Sequence, residues 1–106
     1  MEKIATINEV SVGESKSFKI KDKEILITNV DGQFYAIDNR CSHMGGDLSK
    51  GKLEGEIVTC PRHGSRFNVR TGEAVKGPKI LIINLNTDNL TSYPLIIQEN
   101  NIMIEI

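Results

Sequence analysis

The sequence predicts an all-β protein. Ile, Val and Thr recur in short runs that Gly, Asn and Asp separate, and no run follows the 3.6-residue period of an amphipathic helix. A chain of 106 residues fits one domain that buries a modest core. We therefore expect residues 1–106 to form a single domain.

The predicted strands of the N-terminal part follow one another closely. Residues 3–7 (KIATI) are expected to open the sheet, and residues 14–20 (ESKSFKI) alternate in the manner of a strand. Residues 24–30 and 33–38 flank Asp31-Gly32, which is a strong hairpin signal because glycine tolerates positive φ. This hairpin is the clearest local prediction.

The middle of the chain, residues 39–78, has a different composition. It holds seven of the nine glycines, two of the three prolines and every Cys and His. Loops of this composition are usually disordered or held by something other than an apolar core, so we expect a metal to hold them. Beyond them, the Ile and Leu of residues 79–89 predict an additional strand pair. Residues 93–98 and 101–106 predict a closing hairpin through residues 99–101.

Charge and hydropathy narrow the functional class. The net charge of -1 and the pI near 6.1 give no global reason to expect nucleic acid or an anionic membrane as a partner. The first residues, MEKIATINEV, contain no apolar signal region and no twin arginine. We expect a cytoplasmic protein without a membrane, in which cysteines serve metal or redox chemistry rather than disulfides.

The four soft side chains occur as two pairs. Cys41-x-His43 and Cys60-x-x-His63 are separated by sixteen residues. Thiolate and imidazole are preferred ligands of zinc and of iron clusters, and two buried thiols with two surface histidines would not predict such pairing. A structural zinc site is the alternative, but a single spacer between Cys and His is tighter than in most zinc knuckles. The spacing favours a binuclear centre.

Two longer motifs carry a family resemblance. CSHMGGDL (41–48) and CPRHGSRF (60–67), followed by Thr71-Gly72 and Gly77-Pro78, resemble a Rieske [2Fe-2S] protein. The resemblance implies an antiparallel β-sandwich or barrel with an inserted, loop-rich cluster-binding subdomain at about residues 39–79. It also implies one cluster, with Cys41 and Cys60 on one iron and His43 and His63 on the other.

The resemblance also assigns roles around the cluster. Gly45 and Gly46 would let backbone amides approach it, although a plain turn would use the same residues. Ser65 stands where high-potential Rieske proteins use a serine hydroxyl to bond a bridging sulfide, although a serine that only satisfies a turn explains the residue equally well. Phe67 stands at the position of their tyrosine. One donor kept and one lost predict an intermediate to low potential. Pro78 would belong to the loop that covers the cluster's other side.

One departure from the family separates its branches. In respiratory Rieske proteins a disulfide joins the two loops at the positions held here by Gly46 and Arg62. Its absence points to soluble Rieske ferredoxins, in which this bridge is commonly missing. The edges of His43 and His63 would then be partly exposed near the surface, flanked by Ser42, Met44, Pro61 and Pro78.

The ligand set predicts an electron carrier rather than an enzyme. Neutral imidazoles leave the oxidised cluster formally uncharged, so such potentials lie high, at roughly -150 to +300 mV, and they should fall at alkaline pH as a ring proton is lost. Both histidines are committed, so no second iron site for an oxygenase remains, and we assign no catalytic residue. A flavoprotein reductase would supply electrons and a terminal oxygenase or similar redox enzyme would accept them.

Two alternatives remain open, namely a small subunit of a nitrite-reductase-like assembly and a zinc-stabilised binding module without a redox role.

The distribution of charge adds a weak indication about docking. Residues 38–79 carry eight basic and five acidic side chains, which gives +3, and the remainder of the chain carries -4. A basic cluster end would steer towards an acidic partner, whereas a solvated mixed surface is an equally good explanation.

Overall fold

Three antiparallel sheets make up the described part of the chain. The computed structural model describes residues 1–42, 45–62, 64–75 and 88–106. Within these ranges there are eleven strands and two single-turn 3-10 helices, Ile7–Glu9 and Leu48–Lys50. The strands are β1 Glu2–Thr6, β2 Ser15–Ile20, β3 Lys23–Val30, β4 Gln33–Asp38, β5 Lys52–Glu54, β6 Ile57–Thr59, β7 Arg66–Asn68, β8 Ala74–Val75, β9 Ser92–Tyr93, β10 Leu95–Gln98 and β11 Asn101–Ile104.

The central sheet has the strand order β2-β3-β4-β9. The β3–β4 hairpin closes at the pair Val30 and Gln33. Its two turn residues, Asp31 and Gly32, have φ of 52° and 94°, as a two-residue turn matching the twist of the strands requires. The predicted hairpin is confirmed, and so is the strand predicted at residues 14–20.

The outer sheet has the order β1-β11-β10, so the first and last strands are neighbours. The closing hairpin exists, but its turn is Glu99-Asn100 alone, because Asn101 already pairs with Gln98. The predicted strand 93–98 is divided at Pro94. Tyr93 pairs with β4 of the central sheet, whereas Leu95 pairs with β11 of the outer sheet. Proline lacks the backbone donor that a continuous ladder needs, and the chain changes sheets there.

The small sheet, β5-β6-β7-β8, lies within the glycine-rich middle of the chain. Its strands are two or three residues long. Apolar side chains of this segment are fully buried, among them Leu48, Val58 and Phe67. An apolar core, which was not predicted, therefore holds part of residues 39–75, and the metal expected in this segment would act in addition to that core. Strands of two or three residues are not predicted from the sequence, because they are too short to show an alternation of apolar and polar residues.

Two apolar cores lie on opposite faces of the central sheet. The first core, between the central and small sheets, contains Leu26, Ile37, Cys41, Leu48, Val58, Cys60, Phe67, Val69 and Leu90. The second core, between the central and outer sheets, contains Ala5, Val10, Ile25, Ile27, Ala36, Ile102 and Ile104. Successive residues of β3 enter different cores, because side chains alternate along a strand.

The predicted additional strand pair at residues 79–89 falls largely outside the described residues. Only Asp88 and Asn89 are described, and neither belongs to a strand. The described ranges contain no helix with the length and apolar character needed to cross a membrane.

Candidate metal centre

Loop 2, residues 60–65, connects β6 to β7. The last pair of that ladder is Thr59 with Arg66, so the loop begins and ends on paired strand residues. The Cys60 amide donates to the Ser65 carbonyl at 2.7 Å, and the Gly64 amide donates to the Cys60 carbonyl at 3.1 Å. Gly64 has φ of 78°, a conformation that glycine adopts without steric cost.

Loop 1, residues 41–46, is closed in the same way. The Cys41 amide donates to the Gly46 carbonyl and the Gly45 amide to the Cys41 carbonyl, both at 2.8 Å. Gly45, the fifth residue of its loop as Gly64 is of loop 2, has φ of 69°. An antiparallel bridge between Arg40 and Asp47 flanks the loop. Two six-residue segments with little sequence in common thus share one backbone hydrogen-bonding pattern, each starting at a cysteine.

Both cysteine side chains are turned away from solvent. Cys41 is 3% exposed and Cys60 is 2% exposed, and both belong to the first core. Leu48 and Phe67, which lie just beyond the loops, pack in the same core. The folding of the small sheet against the central sheet therefore brings together two thiol-bearing loops that are distant in sequence.

Gly46 marks a close approach between the two loops. A Cβ atom on Gly46 would lie 2.5 Å from Cys60 Sγ, which is far inside van der Waals contact, and 3.4 Å from Arg62 Cγ. Glycine is required here by proximity and not by a left-handed backbone. Gly45, in contrast, uses its amide to close the turn, which favours the turn explanation for that residue. The adjacency of Gly46 and Arg62 also agrees with their positions in the resemblance.

The other predicted site residues divide into two groups. Ser65 supplies the backbone carbonyl that closes loop 2, a contact that does not involve its hydroxyl, so both predicted roles of that hydroxyl stay predictions. Phe67 is fully buried in β7 and packs in the first core with both cysteines. His43, His63 and Pro78 lie outside the described residues. The described residues thus bring Cys41, Gly46, Cys60 and Phe67 together.

A polar group at the foot of loop 1 was not singled out from the sequence. Arg40 donates to Glu24 of β3 through Nε at 2.8 Å and through Nη2 at 3.3 Å, and its Nη1 donates to the Gly45 carbonyl at 3.2 Å. Asn39 is buried and donates to Asp47 at 2.9 Å. We call Glu24, Asn39, Arg40 and Asp47 the base network. No local motif connects Glu24 to the loop, so only the folded sheet reveals it.

The ionisation of the base network follows from its contacts. The hydrogen bond from Arg40 holds the pKa of Glu24 below its ordinary value, and the same bond raises the pKa of Arg40. Burial alone would raise the pKa of Asp47, but hydrogen bonds from Ser49 and Asn39 lower it overall. Both carboxylates are therefore ionised at neutral pH.

A short segment that we call the strap, residues 88–91, contacts loop 1, the small sheet and the central sheet. The Ser42 hydroxyl donates to the Asp88 carbonyl at 2.6 Å. The Leu90 amide donates to the Gly72 carbonyl at 2.7 Å, and the Asp38 amide donates to the Thr91 carbonyl at 3.0 Å. Backbone contact at Gly72 is so close that a Cβ there would overlap the Leu90 carbonyl. The strap thus fixes the small sheet against the central sheet beside loop 1.

The arrangement fits a soft metal centre. Two thiols from separate loops belong to one apolar core, and the space between loop 1 and Cys60 excludes even a methyl group on Gly46. Thiolates are ligands of zinc and of iron–sulfur clusters. Among the described residues, no three or more Cys, His, Asp or Glu side chains form a group that could hold a metal ion; the two histidines do not belong to the described residues.

Known proteins resemble this chain over nearly its whole length. Residues 1–94 match the family model described as Rieske [2Fe-2S] domain. The ferredoxin component of the naphthalene 1,2-dioxygenase system of Pseudomonas putida is 33% identical over 100 residues, which cover 94% of this chain and 89% of that protein.

Solved structures give the same result. A ferredoxin of Sphingomonas yanoikuyae B1 matches with a TM-score of 0.84 at 27% identity, over 98% of this chain and 96% of that chain. A chain from a complex of reduced oxygenase and oxidised ferredoxin in carbazole 1,9a-dioxygenase matches with a TM-score of 0.81 at 26% identity, over 96% of this chain and 89% of that chain. The predicted all-β fold class is confirmed.

Proposed function

This chain belongs to the Rieske [2Fe-2S] domain family, and from that premise we propose that Cys41, His43, Cys60 and His63 ligate its cluster. The cofactor is one Rieske-type [2Fe-2S] cluster, and the protein is a ferredoxin, an electron carrier and not itself a catalyst. In the proposed assignment, Cys41 and Cys60 bind one iron, and His43 and His63 bind the other. Residues 39–79 would be the cluster-binding part of a single domain.

The observation that carries the ligand proposal is the matched closure of the two loops. Each loop starts at a buried cysteine whose amide and carbonyl are both used in the turn. Each turn thus places its cysteine in the first core, and the close approach of Gly46 to Cys60 Sγ sets the two turns side by side. When bound, the cluster supplies reversible one-electron chemistry, and the chain's part is to hold it in an apolar setting that limits water.

The partners follow from the relatives. The Pseudomonas protein is the ferredoxin component of a dioxygenase system, and the carbazole complex pairs a ferredoxin with its oxygenase. By the same logic this chain passes electrons to the terminal oxygenase of a multicomponent system and receives them from a flavoprotein reductase. A cytoplasmic location is consistent with such soluble components.

The ligand assignment is tested by changing His63 and its exposed neighbour Arg62 separately. His63→Ala is expected to abolish normal cluster assembly, whereas Arg62→Ala should keep it, because Arg62 is a solvent-facing residue of the same loop. Visible and electron paramagnetic resonance spectra before and after dithionite, with iron, sulfide and zinc quantified on the same samples, measure the result.

Each outcome has a clear meaning. A chromophore that bleaches on reduction, with the low average g-value of a His-ligated cluster, supports the assignment if it is lost in His63→Ala. An unchanged spectrum in His63→Ala would refute it. Colourless wild-type protein with stoichiometric zinc would favour the zinc-stabilised module instead. Stopped-flow oxidation of the reduced protein by a purified ring-hydroxylating oxygenase then tests the acceptor class.

A further inference from the structure

The two ligand loops differ in the contacts that hold the residues at their two ends. Loop 2 continues the β6–β7 ladder, and the pair Thr59 and Arg66 closes its base through strand hydrogen bonds. The chain leaves β4 at Asp38, three residues before loop 1, and enters a 3-10 helix at Leu48, two residues after it, so the described residues on either side of loop 1 form no ladder of strands. The base of loop 1 is the isolated bridge of Arg40 with Asp47, to which the side chains of the base network are added.

The base network satisfies the polar groups at that foot. Asn39 Oδ1 accepts from the Ser49 amide at 3.0 Å, and the Leu48 amide donates to the Asn39 carbonyl at 2.9 Å. The Asn39 amide donates to the Glu24 carbonyl of β3 at 2.9 Å. A fully bonded buried asparagine fixes the chain on both sides of loop 1 relative to the central sheet.

Arg40 extends this network into the described part of loop 1. Its guanidinium is held by Glu24 through two hydrogen bonds, and its remaining terminal nitrogen reaches the Gly45 carbonyl. Gly45 precedes Gly46, whose backbone lies against Cys60 Sγ. A planar guanidinium with two bonds to one carboxylate has a defined orientation, which a lysine ammonium cannot reproduce.

We propose that Glu24 and Arg40 form a clamp that positions loop 1, and through it the seat of the cluster, rather than an ion pair that serves general stability. This proposal rests on the proposed ligation by loops 1 and 2. Neither residue is a ligand of the cluster. They act through the Gly45 carbonyl and the backbone of loop 1.

The sizes of two effects distinguish a positioning role of the Glu24–Arg40 pair from a role in stability. The side chains of Arg40 and Glu24 are 52% and 29% exposed, and exposed ion pairs of this kind contribute little to the free energy of folding. Residues that orient the ligands of a metal site, in contrast, typically change metal affinity by about 10- to 100-fold. The clamp therefore predicts a large effect on the cluster beside a small effect on unfolding.

The test compares Glu24→Gln and Arg40→Lys with Glu2→Gln in the cluster-loaded protein. Glu2 is the control because it also forms an ion pair of partly exposed side chains, with Lys21 at 2.7 Å. That pair joins β1 of the outer sheet to the β2–β3 turn and involves neither ligand loop. The readouts are the rate of bleaching by an iron chelator, the g-values of the reduced cluster and the unfolding midpoint.

The clamp predicts that both clamp variants bleach about tenfold faster and shift their g-values, while their unfolding midpoints stay close to that of Glu2→Gln. The double variant should be no worse than either single variant, because both break one unit. Clamp variants that behave like Glu2→Gln overturn the proposal. So does a wild-type-like Arg40→Lys beside an altered Glu24→Gln, because charge alone would then matter. Failure of the ligand proposal is distinct, since it appears in wild-type protein as a missing cluster signal.

Discussion

At the scale of single residues, glycine serves two different physical purposes in this site. Gly45 and Gly64 occupy equivalent places in their loops and have positive φ. Gly46 has no such conformation, and its lack of a side chain is needed because Cys60 Sγ occupies the space. Substitutions at these two kinds of glycine should therefore fail for different reasons.

Gly46→Ala is expected to lower the iron and sulfide content of the purified protein, because its Cβ would push loop 1 away from Cys60. Gly32→Ala is the control. Gly32 has φ of 94°, and a Cβ on it would meet no atom within 4 Å, so alanine there should cost about 1–2 kcal/mol of stability and leave cluster content unchanged. Full iron content in Gly46→Ala would contradict the close approach.

At the scale of elements, β3 and β4 separate the two cores. Ile37 of β4 lies in the first core, which contains both cysteines, whereas Ile25 of β3 lies in the second core. Both are fully buried. An Ile→Val substitution, which removes one methyl group, can therefore be made in either core and its effects compared across one sheet.

Ile37→Val and Ile25→Val should each lower the free energy of unfolding by about 0.5–1.5 kcal/mol, because each leaves a small cavity. Only Ile37→Val should also speed chelator-driven bleaching, since its cavity adjoins the cysteine loops. Urea unfolding followed by circular dichroism, with bleaching measured on the same samples, distinguishes the two effects. Equal bleaching rates would show that packing around the loops does not limit cluster retention.

At the scale of the whole molecule, strand length differs between the two sides of the central sheet. The small sheet has strands of two or three residues and carries loop 2, while the outer and central sheets contain longer ladders over a core without cysteine. A cluster held by loops 1 and 2 would join the small sheet to the rest of the chain. Its removal should thus affect one side of the molecule.

Removing the cluster with a chelator under reducing conditions is expected to leave β1, β3 and β11 protected and to expose β6 and β7. Metal binding stabilises most the segments that have little other structure of their own. Segments with few buried contacts also open locally most easily, and β6 and β7 are strands of only three residues each. Hydrogen exchange measured peptide by peptide on loaded and cluster-free protein checks this. Uniform loss of protection in all three sheets would show that the domain folds as one unit with its cluster.

Much of the architecture was predictable because the information is local. Asp31-Gly32 dictates a turn by the φ values it permits, and the strands beside it are long enough to be recognised. The four potential ligands were predictable for another reason, since few side chains bind soft metals and these occur as two close pairs. The division at Pro94 and the small sheet were not predicted, because three-residue strands carry no measurable period.

The sequence by itself determined the fold class, because turn residues and short apolar runs act through local sterics, and it determined the cofactor family through two motifs that resemble Rieske proteins. Only the tertiary structure revealed that Gly46 lies against Cys60 and that Glu24 of a distant strand grips the foot of loop 1. Those relations depend on which sheet faces which. That is decided by the burial of Leu26, Ile37 and Phe67 in a common core, a cooperative free-energy gain that no short segment of sequence contains.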